Sequence, residues 1–168
     1  SYVDPMLLDR TAVFLFQRQQ ADGSWEPQGM TIESGLEGLG ADNLLPTAYV
    51  TWALADAGYA NSEPLQRAVS HLQEQLTQYL QAQPQAGQST SPLATPPAQL
   101  DPYAAAMVAN ALIAVDSQGS ASQMADPHAQ ARLGLIEQLI NQLLSSATSD
   151  ANGYFTWSSG MATYMGGY

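Results

Sequence analysis

The chain has 168 residues, of which 45% are apolar, and this size and composition suit a globular domain with a real core. Only 11% of the residues are charged and the formal net charge is −11, because four arginines are the only fixed cations. Such an acidic chain repels polyanions, which argues against nucleic acid as a partner. The absence of cysteine excludes disulfides, cysteine-bound zinc and thiol nucleophiles. No apolar run approaches the ~20 residues of a membrane span, so we expect no membrane insertion by this chain.

The first predicted helix begins at Asp4-Pro5, where a capping carboxylate precedes a proline that needs no hydrogen-bond donor. It should run to about Gln20. Asp22-Gly23 ends it, because glycine can adopt a left-handed turn. One broad face should be buried, since apolar residues recur there at helical spacing: Leu7, Leu8, Ala12, Phe14 and Leu15. Residues 26–42 contain many glycines without periodicity and predict a packed loop.

Helices two and three differ in how their apolar residues are distributed. The second should run from Asn43 or Pro46 to Gly58 and is apolar on nearly every side, which is typical of a helix enclosed by other helices. The third begins near Pro64 and carries one apolar stripe, so it should be peripheral. Residues 81–100, rich in Gln, Pro, Ser and Thr, predict an exposed loop.

The remaining segments repeat this alternation. Asp101-Pro102 begins a fourth helix that is apolar on nearly every face, and residues 116–126 predict a second exposed loop. A one-sided fifth helix should run from about Pro127 to Ser145. The stretch from Ala151 to Trp157 then repeats the aspartate-to-tryptophan turn that follows the first helix.

The order one-sided, all-round, one-sided, all-round, one-sided predicts an all-α protein with an α/α toroid architecture, in which outer helices surround inner ones. An antiparallel bundle would make every helix one-sided. The outer helices begin near Pro5, Pro64 and Pro127, a repeat of about 60 residues. Because no inner partner for the fifth helix follows, we expect residues 1–168 to be a partial toroid from a longer protein.

The turn Gln19-x-x-x-Gly23-x-Trp25 resembles the glutamine–tryptophan motif of squalene-type terpene cyclases, which indicates a toroid and little else. More selective motifs follow it in order: Thr47-Ala48-Tyr49, Asp101-Pro102-Tyr103 and a closing Gly-Tyr-Phe-Thr-Trp that ends at Trp157. Together they resemble the later part of the thioester-containing domain of the bacterial alpha-2-macroglobulin and complement family. The resemblance covers essentially the whole chain.

In that family, cleavage of a bait segment by a protease exposes a thioester between Cys and Gln, which an amine or hydroxyl of the attacker then opens. Because this chain has no Cys, the resemblance places the reactive pair upstream of Ser1 and makes these residues scaffold and shielding. It implies partners that are proteases or other captured proteins, bound through the parent, and the parent's remaining domains. It also implies a periplasmic, cell-surface or secreted location. Some complement members place a His in the loop after the glycine turn to favour hydroxyl acceptors; because residues 26–40 contain no His, the resemblance implies amine acceptors if the parent is reactive.

Other residues allow a chemical interpretation beside a structural one. Glu33 and Glu37 could pair on a helical turn, but a solvated or capping role is simpler because no histidine is near. His71 and His128 fall on polar stretches and are expected at the surface. We therefore expect no catalytic, cofactor-binding or metal-binding residue, and no cofactor.

A toroid enzyme of terpene cyclase or carbohydrate-active type is the alternative. A glycosidase-like site would need two carboxylates beside a cleft, drawn from Asp22, Asp42 and Asp101. A cyclase would need an aspartate-rich motif, which the chain lacks. Five aromatic residues could line a pocket, although burial in the core is the commoner role of such side chains: Trp25, Tyr49, Trp52, Tyr103 and Trp157. A third option is a binding module that uses residues 81–100.

Overall fold

The computed structural model describes residues 4–26, 43–82, 100–118 and 127–158. Most of the three predicted loops therefore lie outside the described residues. The interpretations that concern Glu33, Glu37, Asp42 and the side chain of His128 lie outside them as well.

The described part of the chain contains five α-helices and one two-stranded hairpin, which confirms the all-α prediction. The elements are α1 (Pro5–Gln17), α2 (Leu44–Leu54), α3 (Glu63–Ala82), α4 (Pro102–Gln118), α5 (Pro127–Ser146), β1 (Thr148–Ser149) and β2 (Phe155–Thr156). A π-helical turn, Ala55–Tyr59, extends α2. The strands are antiparallel, with Thr148 opposite Thr156.

Both predicted aspartate–proline helix starts are confirmed. The Asp4 carboxylate accepts the backbone N–H of Met6 at 3.0 Å, and the Asp101 carboxylate accepts that of Tyr103 at 2.9 Å. Each carboxylate satisfies a backbone donor that has no partner within its helix.

Three predicted boundaries are corrected by the structure. Helix α1 ends at Gln17, because the N–H of Arg18 closes the last turn and the chain then leaves the helix. Helix α4 continues through Gln118, so residues 116–118 are helical rather than loop. Leu100, placed in an exposed loop, is only 3% exposed.

The two inner helices form the centre of the fold. Helix α2 packs most extensively on α4, while α3 covers α2, α5 covers α4, and α3 touches α5. The predicted stripe of α3 is buried as expected, with Leu65, Leu72 and Leu76 fully enclosed. Inner α2 and α4 thus alternate along the chain with outer helices, as in an α/α toroid.

Helix α1 does not bury the broad face that its sequence predicted. Ala12 is its one buried residue among the described positions, whereas Leu7 and Phe14 are 57% and 51% exposed. Contacts with Tyr59, in the π-helical turn that extends α2, hold the helix: the Phe16 ring meets the Tyr59 ring edge-on at 5.7 Å, and the Tyr59 hydroxyl donates to Asp9. A helical apolar stripe predicts a face to be covered, and no described element covers this one.

The inner helices are also less enclosed than predicted. Tyr49 on α2 and Tyr103 on α4 are 56% and 46% exposed, so the expectation that they belong to the core is wrong. On α5, Ile136 and Leu139 are buried, while Leu144 is 64% exposed. On each of these helices the apolar face is wider than the part that neighbouring described elements cover.

A buried ion pair joins α4 to α5. The Arg132 guanidinium contacts one Asp116 carboxylate oxygen at 2.7 and 2.9 Å, and the Arg132 side chain is 7% exposed. The second Asp116 oxygen is buried and has no hydrogen-bond partner among the described residues. The pair thus links two helices that pack on each other.

Replacing Arg132→Met should lower the free energy of unfolding by about 3 kcal/mol, because it leaves a buried carboxylate without its counter-charge. The double variant Asp116→Asn with Arg132→Met should lose clearly less, since a neutral amide needs no counter-ion. Urea denaturation of the two variants measures the difference. Equal losses in both would show that the ion pair is not what joins these helices.

Candidate functional site: the turn after the first helix

The Gln19 side chain connects the end of α1 to α3. Its amide nitrogen donates to the carbonyl oxygens of Gly23 at 2.9 Å and Pro64 at 2.7 Å. Its amide oxygen accepts from the Arg67 guanidinium at 2.9 Å, and Arg67 also pairs with Glu63 at 2.7 Å. One glutamine therefore bonds to its own turn and to two residues of a different helix, which explains why this position carries Gln.

Gly23 lies where the turn presses against the backbone of α3. Its φ is +89°, in the left-handed region. A β-carbon added there would stand 2.5 Å from the carbonyl oxygen of Arg67 and 2.6 Å from its carbon. Both the backbone conformation and the space exclude a side chain, so glycine is required twice over.

Asp22 and Ser24 shape the turn around that glycine. The Asp22 carboxylate accepts the backbone N–H of Ser24 at 3.0 Å and its hydroxyl at 2.8 Å. These bonds, with the nearby His71, hold the pKa of Asp22 below its ordinary value. The His71 side chain is only 10% exposed and lies 3.6 Å from Asp22. The expectation of a surface His71 is therefore corrected, because the turn folds over α3 at this point.

Trp25 anchors the turn to both neighbouring helices. Its indole N–H donates to the Leu15 carbonyl of α1 at 2.8 Å, and its backbone N–H donates to the Thr47 hydroxyl of α2 at 3.0 Å. The residue is 4% exposed, which confirms its predicted core role. The bond from Trp25 gives a partner to the hydroxyl of Thr47, which is fully buried within α2.

The predicted repeat of this turn after α5 is confirmed in detail. Each turn has a glycine with positive φ three residues after its first residue. Gly23 (φ +89°) follows Gln20, and Gly153 (φ +82°) follows Asp150. The backbone bonds correspond, from Gln20 to Ser24 at 2.9 Å and from Asp150 to Tyr154 at 2.9 Å. Trp157 donates its indole N–H to the Leu143 carbonyl of α5 at 2.7 Å, as Trp25 does to α1.

The two copies differ in what covers them. Trp25 lies beneath the first turn of α2, whereas Trp157 is 45% exposed and the neighbouring Tyr154 and Phe155 are 70% and 65% exposed. The prediction that Trp157 belongs to the core is therefore wrong in the described part of the chain. No described helix takes the place beside Trp157 that α2 takes beside Trp25.

The structure brings together the motif residues from the first part of the chain, up to α2. Gln19, Gly23, Trp25 and Thr47 meet at one junction, with Ala48 fully buried beside them. Tyr49 lines a pocket on the outer side of the same junction. Asp101, Tyr103 and Trp157 lie elsewhere, at the start of α4 and after β2.

Sequence reasoning missed the partners that complete the junction. Arg67, Ser24 and the Pro64 carbonyl all take part in its hydrogen bonds. Ser24 could have been found, because a serine two residues after an aspartate is typical of such turns. Arg67 and Pro64 lie more than forty positions away from Gln19, and no local pattern indicates contacts at that separation.

The two described aspartates that a glycosidase-like site could have used have structural roles. Asp22 forms the turn, and Asp101 caps α4. No three His, Asp or Glu side chains lie close enough to hold a metal ion among the described residues. Within the same ranges, no helix is long and apolar enough to cross a membrane.

An α/α toroid in which two outer helices, α1 and α5, are followed by tryptophan-anchored turns defines the class of protein. The family model described as A-macroglobulin TED domain, the thioester-containing domain, matches residues 1–159. The chain therefore belongs to this family, as part of a macroglobulin- or complement-like protein. No curated protein and no solved structure gives a match to the chain.

Gly23→Ala should lower the free energy of unfolding by about 3 kcal/mol, from the left-handed backbone and from overpacking against α3. Gly58→Ala is the matched control, because Gly58 also has positive φ, +93°, but an added β-carbon meets nothing within 4 Å. It should cost about 1 kcal/mol. Urea denaturation separates the two, and equal losses would mean that the turn does not press on α3.

Gln19→Glu keeps the shape of the side chain but removes the N–H groups that bond Gly23 and Pro64. We expect a loss of about 2 kcal/mol, because two carbonyls would face a carboxylate. Gln17→Glu, two residues earlier and exposed, should change the free energy of unfolding by less than about 0.5 kcal/mol. If the Gln19→Glu variant is as stable as the control, the Gln19 amide does not stabilise the junction.

The lowered pKa of Asp22 predicts a pH effect. Its stabilising contribution is present above the unfolded value of 3.8 and is lost as the pH falls through the lower value of the folded state. Asp22→Asn should therefore be less stable than the native chain near neutral pH and should lose less stability on acidification. Thermal melts between about pH 6 and about pH 2 measure this, and parallel pH curves would contradict it.

Proposed function

We propose that this chain is a scaffold and shielding piece of a macroglobulin-like protein that traps proteases, and that the reactive thioester lies in another part of the parent. Membership of the TED family supports this proposal. The sequence contains no Cys, so it cannot supply the sulfur of a thioester. The chain itself takes no catalytic part.

The chemistry that the parent would need is a protected electrophile. A thioester survives only while apolar surroundings exclude water and nucleophiles, and it reacts when a conformational change removes them. Lysine is the strongest internal amine nucleophile, and this chain has none, since its four cations are all arginine. A neighbouring domain without lysine offers no internal amine that could open the thioester.

Two exposed apolar surfaces support packing against other parts of the parent. The first is the outer face of α1, with Met6, Leu7 and Val13 at 72%, 57% and 51% exposure. The second is the β2 region, where Phe155 and Trp157 are 65% and 45% exposed, and the Trp157 indole bonds to α5 one residue before the exposed Leu144. Contiguous exposed apolar residues on a soluble domain commonly mark contact surfaces.

The finer parts of the proposal follow the family resemblance. We expect capture of amines rather than hydroxyls, partners that are proteases or other captured proteins, and a periplasmic, cell-surface or secreted bacterial parent. The alternative of a terpene cyclase or carbohydrate-active enzyme has no comparable support, because its candidate aspartates Asp22 and Asp101 serve as turn and cap residues.

The parent should release one free thiol when treated with methylamine, with one methylamine added to the thioester glutamine. Thiol titration and intact mass before and after treatment measure both events. Release of the thiol without the methylamine adduct would indicate hydrolysis of the thioester bond. If neither the thiol nor the adduct is detected, the parent has no reactive thioester.

The scaffold role predicts that Val13→Glu acts on the parent and not on this chain alone. Val13 is exposed and glutamate is a good helix former, so the unfolding of the 168-residue chain should change by less than about 0.5 kcal/mol. In the parent the same change should speed thiol release in the absence of protease, because water gains access. Thr77→Glu, which adds the same charge on the polar side of α3, is the control and should leave the release rate unchanged.

A further inference from the structure

A pocket of about 380 Å³ lies between the end of α1, the Trp25 turn and the first turns of α2. Six apolar residues line it: Phe14, Leu15, Trp25, Pro46, Tyr49 and Val50. The volume falls at the lower end of the roughly 300–1,000 Å³ that ligand pockets occupy. It suits one aromatic or branched side chain and a little of the chain on either side.

The aromatic walls are unusually open. Phe14 and Tyr49 are 51% and 56% exposed, although both rings face a concave surface lined with apolar groups. Tyr49 is held from behind by Trp52, whose ring it meets edge-on at 6.3 Å. Half-exposed, fixed aromatic rings gain most from an apolar group placed between them.

Two opposite charges line the same pocket. The Arg18 guanidinium stacks 4.5 Å above the Phe14 ring, and Glu26 follows the turn. Within the described ranges neither forms an ion pair, whereas Arg67 and Arg132 are paired with Glu63 and Asp116. Arg18 is thus a cation that the chain's own described carboxylates do not neutralise, in a protein of net charge −11.

We propose that this pocket binds a peptide segment of another protein that inserts one aromatic side chain and carries an acidic residue directly after it. The aromatic ring fills the space between Phe14 and Tyr49. The acidic side chain pairs with Arg18, because a guanidinium on an aromatic face binds carboxylates well. A backbone N–H of the peptide donates to Glu26. This binding does not depend on the thioester or on the protease-trapping role.

The charge pattern selects a peptide over a purely apolar partner. An apolar side chain alone would give neither Arg18 nor Glu26 a new partner. A peptide supplies an acceptor for one and a donor for the other. Because the chain as a whole repels acidic partners, an acidic peptide needs a local positive charge at its binding site. Arg18 supplies that charge.

The probe is acetyl-Phe-Asp-amide, titrated into the ¹⁵N-labelled 168-residue chain. The reporter is the Trp25 indole N–H, which donates to Leu15 at the pocket. The chain has three tryptophans, so Trp52→Phe and Trp157→Phe variants assign the signal. We expect a saturable shift of the Trp25 signal while the other two indole signals move little.

Arg18→Gln should weaken binding by about tenfold, the effect of removing a charge-assisted hydrogen bond. Arg10→Gln is the matched control: it removes the same charge from α1, the helix that Arg18 directly follows, but Arg10 does not line the pocket, and the affinity should stay within about twofold. Acetyl-Phe-Lys-amide should bind more weakly than the Asp probe. Retained dispersion of the remaining signals shows that each variant is folded.

Three outcomes would overturn the proposal. The first is no saturable shift with the Asp probe, and the second is equal weakening by Arg10→Gln and Arg18→Gln. The third is binding of 3-phenylpropionate as tight as that of the peptide, which would assign the pocket to small aromatic acids. None of these results bears on methylamine-induced thiol release by the parent, so the two proposals fail independently.

Discussion

The close approach of the turn at Gly23 to the backbone of α3 is the constraint on which the other contacts of this junction depend. An added β-carbon would stand 2.5 Å from the Arg67 carbonyl, so the chain reverses here only because the residue is glycine. That approach brings the Gln19 amide within reach of Pro64. It also places Trp25 where its backbone can bond Thr47 of α2. One short turn thereby fixes an outer helix, the next outer helix and the inner helix between them.

The same turn occurs again after α5, with the same glycine conformation and the same indole-to-carbonyl bond. Repetition of a turn after two outer helices, α1 and α5, indicates that the fold is built from similar units. The described copies also show what one unit needs from the next. The first tryptophan is enclosed because an inner helix begins over it, and the second remains half-exposed beside other aromatic residues.

These exposed surfaces connect the fold to the proposed function. A chain with few charges cannot form a fully polar exterior, and its apolar excess collects on α1 and around β2. The family supports a multidomain parent, in which such faces could be covered. The pocket at Phe14 and Tyr49 differs from them, because it combines apolar walls with Arg18 and Glu26, which form no ion pair among the described residues.

The sequence by itself determined the helices, their order and the special residues at their ends. Aspartate–proline starts, a glycine turn and apolar periodicity act over a few residues, and for that reason Asp4, Asp101, Gly23 and the stripe of α3 were all predicted. The repeat at Trp157 was visible for the same reason.

Only the tertiary structure decided which apolar faces are covered and which distant groups meet. Tyr49, Tyr103 and Trp157 were expected in the core but are exposed, because periodicity says that a face is apolar and not whether a neighbour lies against it. The bonds from Gln19 to Pro64 and Arg67, and the pair of Arg132 with Asp116, depend on how the helices are placed in space. That placement results from packing of the whole core, which no short stretch of sequence encodes.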